Sequence, residues 1–316
     1  MAFCSFFSQK NSEVDGSVNK IDQKARKVVK NALFHDEKHK KGIDELGKML
    51  YNKSNSIRQE GFMPRFFVRN DQIADGIVTV MGDDAHHISR SLRMAAGEQI
   101  TVCDADGREY DCVLTDFLPD RVRASVCESR VCLAEPPFFA HLFQALPKGD
   151  KLDSIIQKAV ECGVSRITTF ESERCVVRLK DVSGEQKKRE RRERIALEAA
   201  KQSGRGRLPD VMPTIRYDAA IEAAAQCELA LFCYEGAETQ PLGSVLNAWQ
   251  SEHPGQAAPK SISIVIGSEG GFSPREVEQA RAKGMIPVGL GRRILRTETA
   301  ASFVLACLVC RFELTV

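Results

Sequence analysis

Two short glycine-bearing runs near the C-terminus are where residue types and spacing could do chemistry. Gly267-Ser268-Glu269-Gly270-Gly271 follows directly on the apolar run Ser261–Ile266. Gly289-Leu290-Gly291 is followed by Arg292-Arg293-Ile294-Leu295-Arg296. Glycines at the end of a buried strand let backbone N–H groups approach a ligand closely, and the carboxyl edge of an α/β sheet is where such ligands bind. Each run also feeds a helix. Ser273-Pro274-Arg275-Glu276 has the cap, the first-position proline and the reciprocal glutamate of a capping box, and Thr297 is placed to cap the last helix. A phosphate-binding P-loop would need a lysine after its glycines, and a dinucleotide fingerprint would need a different glycine spacing; neither is present. The pattern alone implies a small ligand held on two backbone-lined loops.

Those loops need elements to position them. From Glu135-Pro136-Pro137, a linker by composition, the chain alternates strands and helices. Strands are expected at His141–Ala145, Arg166–Phe170, Leu229–Tyr234, Ser261–Ile266 and Pro287–Leu290. Helices are expected at Lys151–Cys162, Glu185–Ser203, Pro274–Lys283 and Glu298–Phe312. This alternation predicts a parallel sheet and α/β architecture. Residues 63–133 read differently, as short alternating strands (Arg65–Val68, Ile77–Val80, Gln99–Asp104, Arg108–Thr115 and Arg121–Cys127) with Asp106-Gly107 as a hairpin signal. Only Asp84–Met94 looks helical there. A small β-barrel is expected. Residues 1–62 read as a leader, poorly ordered or partly helical between 23 and 50. Met63 is the expected natural start, or the leader is a dispensable extension.

The 316 residues are 43% hydrophobic and 28% charged, which excludes fibrous and disordered classes. No apolar run is long enough to span a membrane and the N-terminus lacks signal-peptide features. Eleven scattered cysteines, mostly in apolar runs, suit a reducing cytoplasm. Cys307 and Cys310 have no second pair, so no metal is expected. A net charge of +2 argues against a nucleic-acid partner until it is divided along the chain. Arg178–Arg207 holds 11 basic against 5 acidic residues, enough to steer toward phosphate or simply to solvate a helix face.

The paired motifs 266–273 (IGSEGGFS) and 290–300 (LGRRILRTETA) resemble those of the SPOUT methyltransferases, and specifically the RsmE family, which methylates N3 of one uridine in 16S ribosomal RNA. Stretches 63–68 (MPRFFV), 87–97 (HISRSLRMAAG), 157–165 (QKAVECGVS) and 200–205 (AKQSGR) agree with it. Ser268 departs from the family, which usually has proline there. The resemblance implies a PUA-like RNA-binding barrel over 63–133 and a SPOUT domain over 138–316 with a C-terminal trefoil knot. It also implies a homodimer acting on 16S rRNA or the small ribosomal subunit. S-adenosylmethionine would lie between Gly267, Glu269, Gly270 and Gly271 on one wall and Leu290, Gly291, Ile294 and Leu295 on the other. Arg296 would stabilise the uridine anion, while Glu269 would accept the N3 proton or hold a loop. Arg65, Arg90, Arg93, Arg205 and Arg207 would contact RNA. The alternative is a catalytically silent RNA-binding or ribosome-assembly factor with the same fold.

Overall fold

The computed structural model describes residues 63–178, 182–236 and 238–314; the expected leader lies outside them. The first sheet comprises β1 (Arg65–Phe67), β2 (Ile73–Ala74), β3 (Ile77–Met81), β4 (Gln99–Cys103), β5 (Arg108–Phe117) and β6 (Arg121–Val131), in the order β1-β4-β5-β6-β3-β2. Every pairing is antiparallel except β1 with β4. Alternate residues such as Val78 and Val80, or Val122 and Ala124, turn inward to a core of their own. The hairpin signal holds. Gly107 sits at φ +82°, and the Asp104 carboxylate accepts the amides of Asp106 and Arg108 at 2.9 Å each. The helical segment is α1 (Gly82–His86), running into a wider π-type turn over His87–Ser91. Arg90 and Arg93 lie exposed on or just after that turn.

The second sheet is wholly parallel. Its strands are β7 (Phe139–Ala145), β8 (Arg166–Glu171), β9 (Asp210–Arg216), β10 (Leu229–Cys233), β11 (Gln240–Pro241), β12 (Ser261–Ile266) and β13 (Ile286–Gly289), in the order β11-β13-β10-β12-β7-β8-β9. The helices are α2 (Lys151–Glu161), α3 (Val182–Gln202), α4 (Tyr217–Ala224), α5 (Leu242–Glu252), α6 (Pro274–Ala282) and α7 (Thr297–Phe312). Strand periodicity sorts them into two layers. Leu229, Leu231, Ile262, Ile264 and Ile266 face a core shared with α2, α3, α5 and α7. Ala230, Phe232 and Val265 face the other way, toward α4, α6 and Phe272. The continuous apolar run of β12 is thus the mark of a strand buried on both faces. Sequence reading did not locate β9, α4 and α5. Pro213 disguises β9, and it is tolerated because β9 is an edge strand whose pairing with β8 shifts register there.

One basic residue read as an RNA contact is used instead to fasten the connection between the two sheets onto the second one's helix α2. Arg205 is only 2% exposed. Its guanidinium donates twice to the Glu135 carboxylate, at 2.8 and 2.9 Å, and to the carbonyls of Val160 and Val164. Glu135 also accepts the amides of Gly206 and Arg207, so the expected linker is a rigid seam. A methyl group on Gly206 would fall 2.3 Å from Cys132 Cβ, which leaves room only for glycine. Arg65 is likewise half-buried and paired with Glu109 at 3.0 Å. Lys201 completes the seam by pairing with Asp84 at 2.8 Å and covering the Phe66 ring. The expectation that Arg205 and Arg65 contact RNA does not fit, because Arg205 is buried in a bidentate pair with Glu135 and Arg65 Nη1 is committed to Glu109 and Cys103. Within α3, Arg192 is also buried, on Glu185, Thr169 and Thr214.

Two predictions follow from these buried groups. Removing one partner of a buried ion pair leaves the other uncompensated, so Arg205→Ala should cost about 3–5 kcal/mol in chemical unfolding. His141 is buried beside Thr168 with its ring on Phe143, and burial, then the nearby Arg166 charge, depress its pKa from 6.5 to about 3. The unfolded chain therefore binds the proton first, and stability should fall as pH drops from 6.5 toward 3. In His141→Gln the loss of Tm between neutral pH and about pH 4.5 should be smaller than in the wild type.

Candidate active site

All strands of the second sheet point the same way, so the carboxyl ends of the neighbours β13, β10 and β12 lie side by side. The loops that leave them enclose a cleft of about 700 Å³. Both glycine runs line it. Gly267, Ser268, Glu269, Gly270 and Gly271 contribute from the β12 loop, and Leu290, Gly291, Ile294, Leu295 and Arg296 from the β13 loop. Gly271 (φ +63°) and Gly291 (φ +99°) adopt left-handed backbone that L side chains avoid, and each faces open space where a Cβ would stand. The β12 loop closes on itself through the Gly271 amide and the Ser268 carbonyl at 2.9 Å. Serine thus keeps the turn, while its buried hydroxyl has no protein partner among the described residues.

A third wall was not anticipated. Tyr234, Glu235, Gly236 and Thr239, from the loop after β10, also line the cleft. Glu235-Gly236 after an apolar strand is the same signal that marked the other two loops, in weaker form.

The capping box at α6 forms as expected. Ser273 Oγ accepts the Glu276 amide and Glu276 accepts the Ser273 amide at 2.8 Å. Thr297 does something other than capping. It is the first residue of α7, Arg296 holds the cap position, and no side chain closes that cap. The Thr297 hydroxyl instead donates to the Gly267 carbonyl at 2.7 Å and accepts from Gln144 Nε2 at 2.9 Å. A buried glutamine at the end of β7 and the first turn of α7 are thereby tied to the first glycine of the β12 loop.

Glu269 is half-buried and engaged. Its carboxylate accepts Lys151 Nζ at 2.7 Å and the Lys148 amide at 3.2 Å. Burial alone would raise its pKa. The Lys151 ammonium, with the amides of Glu269 itself and Lys148, outweighs that and holds the carboxyl below the usual range. An anchored, readily ionised carboxylate is a poor proton acceptor, so of the two expected roles the geometry fits loop-holding. Arg296 is exposed at the cleft, with Arg292 and Arg293 beside it.

Comparison with known proteins agrees with this architecture. An RNA methyltransferase domain family matches residues 134–309, and an RNA methyltransferase PUA domain family matches residues 81–127. Ribosomal RNA small subunit methyltransferase E of Bacillus subtilis is 36% identical over 255 residues, covering 80% of this chain and 98% of that protein. The chain belongs to the RsmE family. The crystal structure of an RsmE from Neisseria gonorrhoeae bound to S-adenosylmethionine superposes with TM-score 0.66 at 30% identity, over 78% of this chain and 97% of that one. A Legionella pneumophila methyltransferase in complex with S-adenosylmethionine gives TM-score 0.67 at 28% identity, with the same coverage. The RsmE resemblance read from the motifs is thus established, and with it the mixed α/β fold with a parallel sheet.

In this RsmE chain the Thr297 hydroxyl serves two buried partners at once. Thr297→Val should therefore lose about 1–3 kcal/mol in thermal or denaturant unfolding, more than an exposed Thr→Val change, and Thr297→Ser should keep most of it.

Proposed function

We propose that this chain transfers a methyl group from S-adenosylmethionine to N3 of a uridine in the 16S ribosomal RNA of the small subunit. The observation that carries the reading is the convergence of both glycine runs and Arg296 on one cleft at the carboxyl edge of the parallel sheet. Membership of the RsmE family gives the reaction class.

The cleft suits the cofactor. It has the size of a small-molecule site, left-handed glycines that leave space open, and an unsatisfied buried hydroxyl on Ser268. Gly267, Glu269, Gly270 and Gly271 hold it from one side, and Leu290, Gly291, Ile294 and Leu295 from the other. S-adenosylmethionine supplies a methyl group made electrophilic by its sulfonium. Uridine N3 becomes a nucleophile on losing its proton to solvent water; its electron pair would then take the methyl carbon as the S–CH3 bond breaks and the sulfonium leaves as a neutral thioether. Arg296 stabilises the resulting negative charge on the uracil oxygens and orients the ring. Glu269 acts through the loop it anchors.

Arg90, Arg93 and Arg207 are exposed and suit phosphate contact; Arg207 already donates to the Asp106 carbonyl at 2.7 Å. Residues 63–133 and 138–316 act as RNA-reading and methyl-transferring domains of one unit. The knotted C-terminal connection rests on the resemblance to the SPOUT methyltransferases. A homodimer is what that same resemblance implies. A cytoplasmic location is inferred from the ribosomal RNA substrate; separately, among the described residues no helix is long and apolar enough to cross a membrane.

Calorimetric titration with S-adenosylmethionine, followed by mass analysis of rRNA incubated with both, tests the reading. Binding without methyl transfer would instead support the silent assembly factor. Arg296→Ala should lower kcat about 100-fold while leaving cofactor affinity nearly unchanged. Unchanged turnover removes Arg296 from the mechanism.

A further inference from the structure

The first turn of α2 contributes a residue to the cleft that no glycine motif contains. Lys151 Nζ lies 2.7 Å from Glu269 Oε1, on the β12 loop, and 3.6 Å from Glu298 Oε2, in the first turn of α7. Lys151 and Glu269 line the cleft, and all three side chains are between 24% and 29% exposed, partly shielded from water. One ammonium thus joins three segments that are distant in sequence: the stretch after β7, the β12 loop and the start of α7. Without it, two carboxylates that share one cation would face each other as like charges. The same loop is bound again by the Lys148 amide, and its other glycine, Gly270, is held by Arg174 Nη1 at 3.2 Å. The segment bearing Gly270 and Gly271 is therefore fixed by charge from outside the loop.

We propose that Lys151 is a positioning residue for methyl transfer, setting the backbone of the Glu269–Gly271 cofactor wall through Glu269 and registering it against the helix that Arg296 caps. This rests on the cleft being the S-adenosylmethionine site, as argued above. If Lys151 works through Glu269, removing either partner should have the same consequence, and removing both should add little.

The test is a double-mutant cycle with Lys151→Met and Glu269→Gln, read by calorimetric Kd for S-adenosylmethionine and by steady-state kcat and KM for both substrates. Each single variant should weaken cofactor binding roughly tenfold, the loss expected for one charge-assisted hydrogen bond. KM for RNA should change little, the double variant should be no worse than either single one, and Lys151→Arg should recover most of the affinity. A Glu269→Gln variant that binds normally while Lys151→Met does not would overturn the proposal, because Lys151 would then touch the cofactor directly. Additive losses, or failure of Lys151→Arg to rescue, would overturn it as well. Absence of cofactor binding in the wild-type protein would refute the underlying function instead, so the two failures are distinguishable. Circular dichroism of each variant separates misfolding from lost binding; should Lys151→Met not fold, the cycle is run with Lys151→Gln.

Discussion

A single hydroxyl group settles how the cleft is assembled. Thr297 Oγ1 donates a hydrogen bond to the half-buried Gly267 carbonyl and accepts one from the buried Gln144 Nε2, between β7, β12 and α7. Each of these groups would be costly to leave unmade away from water. The chain that leaves β13 must therefore return to one point on the β12 loop before α7 can begin. Everything that faces the ligand is measured from there: Gly267 starts one wall, Arg296 is the adjacent residue, and Glu298 lies within reach of Lys151.

Electrostatics divides the molecule's cations into two populations with different work. Those with bidentate or buried partners, such as Arg205 on Glu135 and Arg192 on Glu185, serve as internal fastenings. Those left at the surface, Arg90 and Arg93 near the π-type turn and Arg292, Arg293 and Arg296 at the cleft, keep their charge available. The segment Arg178–Arg207 contains both kinds, so its count of charges overstates what an anionic partner meets.

Much of the site was legible because its signals are local. A buried strand, a glycine turn and a capped helix occupy consecutive residues, and the Ser273-to-Glu276 box forms as its spacing requires. What escaped is non-local. Arg205 lies in a run that looks like solvent-exposed loop, and only a glutamate 70 residues earlier explains its burial. Thr297 has the right type and place for a cap, but a carbonyl 30 residues away competes successfully for its hydroxyl. The Tyr234–Thr239 wall depends on β10 lying between β12 and β13, a fact of sheet order rather than of sequence. Strand β9 was hidden by a proline that only an edge position permits.

The seam built around Arg205 has a mechanical meaning. Its guanidinium holds the Glu135 carboxylate and the carbonyls of Val160 and Val164, Arg65 Nη1 from the first sheet donates to its backbone carbonyl at 3.4 Å, and Gly206 is packed so closely on Cys132 that even a methyl group is excluded. A bend at that joint would have to break a buried, hydrogen-bonded ion pair. Under the proposed function, with RNA contacts on one sheet and methyl transfer at the edge of the other, the joint works as a gauge block: the separation between the two is built in. A nucleotide at the wrong distance from the gripped segment then falls short of the cleft however tightly its RNA is held.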